Sequence, residues 1–146
     1  MDIASDVTTI AHVIQLSIAP VFLLTAVGAM LGVLSNRLSR AVDRARSLEG
    51  RAKTAPGDEQ SLLRRQLTVL NRRIRMIYRA MVLCAVCALL ICSVIVTAFA
   101  STLAGAVLAV PIAVLFIAAM LAFIGALLLF LREVHLAIST LQIGTP

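Results

Sequence analysis

Two tracts without a single Asp, Glu, Lys or Arg, 30 residues from Val7 to Asn36 and 52 from Ala80 to Leu131, take up more than half of this 146-residue chain. A helix crosses the hydrocarbon of a bilayer with about 20 apolar residues. The first tract therefore holds one span, and the second holds two with a tight turn between them. The expected fold is an all-α integral membrane protein, a single membrane domain over 1–146 with spans at about 9–34, 80–100 and 107–131. A hydrophobic share of 61% against 14% charged residues lies outside the range of soluble domains and agrees. The opening MDIASDV carries two aspartates where a secretory leader has a basic region, so the first span is read as retained.

Charge gives the orientation. Of 13 Lys and Arg residues, 12 lie between Arg37 and Arg79 against four acids (Asp43, Glu49, Asp58 and Glu59), which leaves eight net positive charges on that segment. The thirteenth, Arg132, follows the third span, and the amino-terminal tail has only Asp2 and Asp6. Short loops rich in Lys and Arg stay on the cytoplasmic side. The expectation is a multi-pass protein of the cell inner membrane, with segment 37–79 and the tail 132–146 cytoplasmic and the amino terminus outside.

The basic segment is not a plain loop. Leu31, Leu34, Leu38, Ala41, Ala45 and Leu48 alternate steps of three and four, a coiled-coil seam that starts inside the first apolar tract and runs on past the first arginines. After GRAKTAPGDEQ, with Gly50 as a stop, Pro56-Gly57 as a turn and Asp58 or Ser61 as an N-cap, the residues Leu63, Leu67, Leu70, Ile74, Ile77 and Met81 repeat the seam. A short connection favours antiparallel neighbours. Spans 1 and 2 are therefore expected to continue into a cytoplasmic helical hairpin over 37–79, standing about 21 Å off the membrane at 1.5 Å per residue. A third amphipathic line, Leu127, Leu131, Val134, Ile138 and Leu141, predicts that the last helix projects beside it, and Ser101 to Gly105 is expected as the outer turn.

Within the spans, small and polar residues mark the faces that matter. Ser17, Val21, Thr25, Gly28, Gly32 and Ser35 share one side of the first helix, and Gly28 and Gly32 admit a close helix contact; Ala118, Ala122 and Ala126 form a similar stripe on the third. His12 and Gln15 lie on another face above Pro20, whose missing N–H frees the carbonyl of Leu16. An ionisable residue at membrane depth is a candidate for a proton-sensitive or ion-lining position. The competing reading puts His12 among the headgroups and gives Gln15 a bond to a neighbouring helix.

The order Gln15-Leu16 with Pro20, then Ser35-Asn36-Arg37-Leu38-x-Arg40-x-x-Asp43-Arg44-x-Arg46, then Asn71-Arg72-Arg73-Ile74, resembles the bacterial three-span membrane family catalogued as domain of unknown function 2721. The resemblance covers essentially the whole chain and is most specific from Asn36 to Arg46. It implies a bacterial inner-membrane protein and brings no activity, substrate or site with it.

Chemistry is thinly represented. Cys84 and Cys87 share a helical face with no His or acid near them, and Cys92 stands apart, so they are read as small apolar packing residues; no metal or cofactor is expected. No nucleophile set, paired acids or phosphate loop is visible, and the chain is read as not an enzyme. Arg37, Arg40, Arg72, Arg73, Arg75 and Arg79 lie close enough to the leaflet to meet anionic headgroups, whereas Arg51 and Lys53 at the hairpin tip do not. Nucleic acid is excluded for want of stacking aromatics beyond Tyr78. Asn36 and Asn71 are expected to meet and set the hairpin register, with Asp43 in an ion-pair cluster beside them. Two classes of function stay open: a homo-oligomer working as a small ion channel or conduit, and an accessory or scaffold protein whose basic hairpin docks another protein or anionic lipid.

Overall fold

A computed structural model describes the backbone of residues 3–104 and 108–139 as three helices, α1 (Ile3–Thr54), α2 (Gly57–Ala104) and α3 (Ala109–Ser139). Among the described residues there is no strand. Each helix is long and apolar enough to cross a membrane, with mean hydropathies of 2.1, 2.9 and 3.0 in its most apolar window. Only 17%, 22% and 11% of those windows are buried inside the chain. The remaining apolar surface, Phe22, Leu103 and Val110 included, needs a solvent as apolar as itself, and this is a multi-pass membrane protein.

Burial follows a period of seven. On α1 the buried residues include Pro20, Val27 and Leu34, then Ala45 and Ala52, with Ala41 and Leu48 half-buried between them. On α2 they are Leu63, Leu70, Ile77, Cys84 and Ile91, interleaved with Ala80, Cys87 and Val94. On α3 they are Ala119, Ala126 and Glu133. Every residue of the two expected seams, Leu31 to Leu48 and Leu63 to Met81, is buried or half-buried. Neither helix breaks where its charges begin.

The chain forms two compact units. Residues 1–30 and 83–124 make the first. Among the described residues its buried side chains are apolar or cysteine, Val27, Cys84, Cys87, Ile91, Val94 and Ala119 included. Hydroxyl groups described in it bond to their own helices: Thr25 donates to the carbonyl of Val21 (3.2 Å), Ser93 to Leu89 (2.9 Å) and Thr97 to Ser93 (2.7 Å). Such bonds let a polar residue sit in hydrocarbon without a partner on another helix.

Residues 31–82 and 125–146 make the second unit, which carries nearly all the charge. Its tip is tight. The Ala55 N–H donates to Arg51 (3.1 Å), and the Gln60 side-chain amide donates to the carbonyl of Ala52 (3.1 Å) across the turn. Asp58 and Glu59 in the first turn of α2, and Arg51 and Lys53 in the last turn of α1, complement the helix dipoles.

Four expectations about the elements need correction. Gly50 does not stop α1, which continues to Thr54. Glycine inside a helix costs only about 1 kcal/mol relative to alanine, whereas Pro56 bars the helix from the residue before it. Asp58 and Ser61 lie inside α2 rather than capping it; the Ser61 hydroxyl donates to the Asp58 carbonyl at 2.8 Å. Ser101 to Ala104 are the last turn of α2 and not a loop. Leu127 and Leu131 face outward, 41% and 64% exposed, because the buried line of α3 runs through its alanines, and large leucines on a membrane helix lose nothing by meeting lipid. Ile138 and Leu141 lie outside the residues whose side chains are described.

Candidate functional site

The buried line of α3 ends on a charge. Seven residues beyond Ala119 comes Ala126, and seven beyond that Glu133, which is only 2% exposed. A carboxylate held this far from water requires partners that restore what its hydration supplied. It has two. Arg37 Nη1 donates to Glu133 Oε2 at 2.6 Å, and Arg73 Nη2 donates to Oε1 at 2.8 Å. One residue of α3 thus binds α1 and α2 at once, each oxygen to a separate guanidinium. Arg37 is further held by Phe130, one helical turn before Glu133, whose ring centroid lies 5.0 Å from the guanidinium carbon.

Beside this triad opens a cleft of about 300 Å³ lined by Arg37, Arg40, Arg44, Arg73, Leu70, Ile77, Ala41 and Glu133. Arg37, Arg40, Ala41 and Arg44 fall at positions i, i+3, i+4 and i+7 of α1 and so share one face. Leu70, Arg73 and Ile77 do the same on α2. Four guanidinium groups against one carboxylate leave three positive charges unneutralised. Among the described residues Arg40 and Arg44 have no ion-pair partner, and Arg73 Nε is buried without a hydrogen-bond acceptor. Like charges four apart on a helix repel by a few tenths of a kcal/mol, and an unpaired buried donor costs about 1–3 kcal/mol. An anion in the cleft would relieve the first of these penalties.

The residues expected to act are distributed differently. Of the membrane-proximal arginines, Arg37 and Arg73 are half-buried on Glu133, Arg40 lines the cleft, and Arg72, Arg75 and Arg79 are exposed. Asn36 and Asn71 are both exposed, and among the described residues no hydrogen bond joins them; they stand beside the buried Leu34 and Leu70 and the half-buried Leu38 and Ile74. The register contact falls instead to their neighbours Arg37 and Arg73 through Glu133. Asp43 is exposed and in no ion pair among the described residues, so the expected cluster around it is absent there.

A β-carbon at Gly28 or Gly32 would meet no atom within 4 Å, and Val21, Thr25 and Ser35 on the same side are exposed, so among the described residues no helix packs on that face. On α3, Ala126 is fully buried while Ala118 and Ala122 are half-buried, and the tightest line passes through Ala119 instead. Pro20 is buried within an unbroken helix and Gln15 is exposed; the side chain of His12 lies outside the described residues. Cys84 and Cys87 are buried free thiols on the packed line of α2, and Cys92 is an exposed one.

Glu133, Phe130 and Arg44 are the residues that reading the sequence missed. A signal for Glu133 existed. It is the one acid after Glu59, and it stands in seven-residue register with Ala126 of the small-residue stripe.

The model of a family described as "Protein of unknown function (DUF2721)" matches residues 17–143. No curated protein and no solved structure matches the chain.

Proposed function

The chain belongs to the DUF2721 family, a membership that carries no activity, and from the geometry we propose that it is an accessory protein of the bacterial inner membrane rather than an enzyme. Three spans anchor a cytoplasmic antiparallel hairpin, and the hairpin offers a fixed basic surface to an anionic partner, first of all the headgroups of the leaflet on which it stands. The observation that carries this reading is the Arg37–Glu133–Arg73 triad. It ties all three helices together at the level where the charges begin, and leaves Arg40, Arg72, Arg75 and Arg79 outward near that level. Each such residue contributes about 1 kcal/mol of attraction to an anionic leaflet. The seven-residue burial period supports coiled-coil packing of the hairpin.

The test is lipid composition around the purified protein. In nanodiscs formed from mixed lipids, mass spectrometry should find anionic lipids enriched over the bulk ratio, with the enrichment falling as salt rises from low to physiological strength. Enrichment that is absent at low salt would contradict the reading.

A second reading, a homo-oligomer forming a conduit, draws on a separate observation. The Thr25, Gly28, Gly32 and Ser35 side of α1 is small, partly hydroxylic and open, and membrane helices associate through such faces. The described residues buried in the first unit are apolar or cysteine. A polar path would therefore have to run between copies.

A further inference from the structure

We propose that the cleft between Arg40, Arg44 and the Glu133 triad is a one-to-one binding site for a phosphomonoester dianion. The proposal goes beyond a general attraction to the leaflet: it names a saturable site, and its soluble arm does not depend on which lipids surround the protein.

Charge, shape and donors point the same way. The cleft keeps three positive charges after Glu133 is counted, more than a carboxylate or a phosphodiester would neutralise. Glu133 occupies one terminal nitrogen of Arg37 and one of Arg73. It does not use the forks of Arg40 and Arg44, which line the cleft without an ion-pair partner among the described residues. Guanidinium forks match the geometry of phosphate oxygens, and several converging on one group favour its doubly charged form. Leu70, Ile77 and Ala41 supply an apolar lining that lowers the local dielectric and strengthens those contacts. Among the described residues no aromatic ring lines the cleft, so none there would stack a base, and a volume of about 300 Å³ suits a small headgroup or a free anion. Its place also fits. The first charge of α1 is Arg37, the last basic residue before the apolar tract of α2 is Arg79, and Glu133 follows Arg132 at the end of the third tract. The cleft therefore lies within a few turns of the level where headgroup phosphates sit.

Glu133 acts in this site as a positioning residue. By holding Arg37 and Arg73 it fixes two of the four guanidinium groups that line the cleft.

Two sources offer the same chemistry: a lipid with a terminal phosphomonoester, and a soluble phosphate. The experiment separates them with the intact protein in nanodiscs. In the lipid arm, native mass spectrometry compares discs of zwitterionic lipid doped with phosphatidic acid against discs doped with an equal amount of phosphatidylglycerol. In the soluble arm, calorimetry titrates inorganic phosphate into protein in purely zwitterionic discs. The test variant is Arg40→Gln with Arg44→Gln, which leaves the triad intact, and the control is Arg51→Gln with Lys53→Gln, which removes the same charge at the hairpin tip, outside the cleft.

One retained phosphatidic acid, preferred over phosphatidylglycerol and weakened about tenfold or more in the test variant but not in the control, supports the site with a lipid occupant. No such retention, but one-to-one phosphate binding lost in the test variant alone, supports it with a soluble occupant. Absence of both, or binding that the test variant and the control weaken equally, overturns it. In the last case anionic enrichment without a stoichiometric partner would leave the broader reading standing.

Discussion

A carboxylate shared between two guanidinium groups holds its place only while both sides of the exchange are present. Glu133 is almost fully shielded, whereas the side chains of Arg37 and Arg73 keep about a third of their surface open (32% each). Removing the acid therefore harms more than removing either base, since it leaves two cations facing one another and no anion between them. Glu133→Gln, nearly equal in volume, should lower unfolding stability by about 3 kcal/mol, the lower end for breaking a buried pair because the arginines are partly hydrated. Replacing Arg37, Arg73 and Glu133 together with leucine should restore most of the loss. Thermal or denaturant unfolding in one detergent checks both. A Glu133→Gln protein as stable as the parent would mean that the triad is incidental. The sequence shows Glu133 only as one charge after a span. Its partners lie 96 and 60 residues away, and nothing local announces such a pairing.

At the scale of the helix, side-chain size sorts inside from outside. Ala119 and Ala126 are fully buried, whereas Leu121, Leu128 and Leu131 on the same helix are open. In lipid an apolar side chain gains little by turning inward, so close approach of backbones decides, and small residues allow it. Ala126→Leu should accordingly destabilise the chain by about 1–3 kcal/mol through overpacking. Gly28→Leu with Gly32→Leu should not lower the stability of a single chain, and the better helix former gains up to about 1 kcal/mol per site. If the open face joins copies, the double variant should instead lower the mass measured in nanodiscs. A single-chain mass for the parent protein would remove the oligomer reading. The two seams from Leu31 to Leu48 and Leu63 to Met81 were legible because their apolar residues are interrupted by charge, which exposes the period. The inward line of α3 was not, because Leu, Ala and Val alternate there without polar contrast. Hydrophobicity alone cannot distinguish a lipid-facing leucine from a packed one.

For the molecule as a whole, three spans and a returning hairpin follow from where charge is absent and where it clusters, properties of the chain that need no contact to be known. The tie between the helices depends on their relative register, which no local pattern of residues encodes. The basic segment continues the two apolar helices α1 and α2, closed at Pro56 and tied to α3 by Glu133. The function proposed for it requires that this segment face the cytoplasm, where anionic headgroups and soluble phosphates are found. That side can be read with a single cysteine. In a variant with Cys84, Cys87 and Cys92 replaced by alanine and Pro56 by cysteine, a membrane-impermeant thiol reagent should label inverted inner-membrane vesicles and leave intact spheroplasts unlabelled. Labelling of intact spheroplasts, with none in inverted vesicles, would put the hairpin on the outer side and contradict the proposed function at its base.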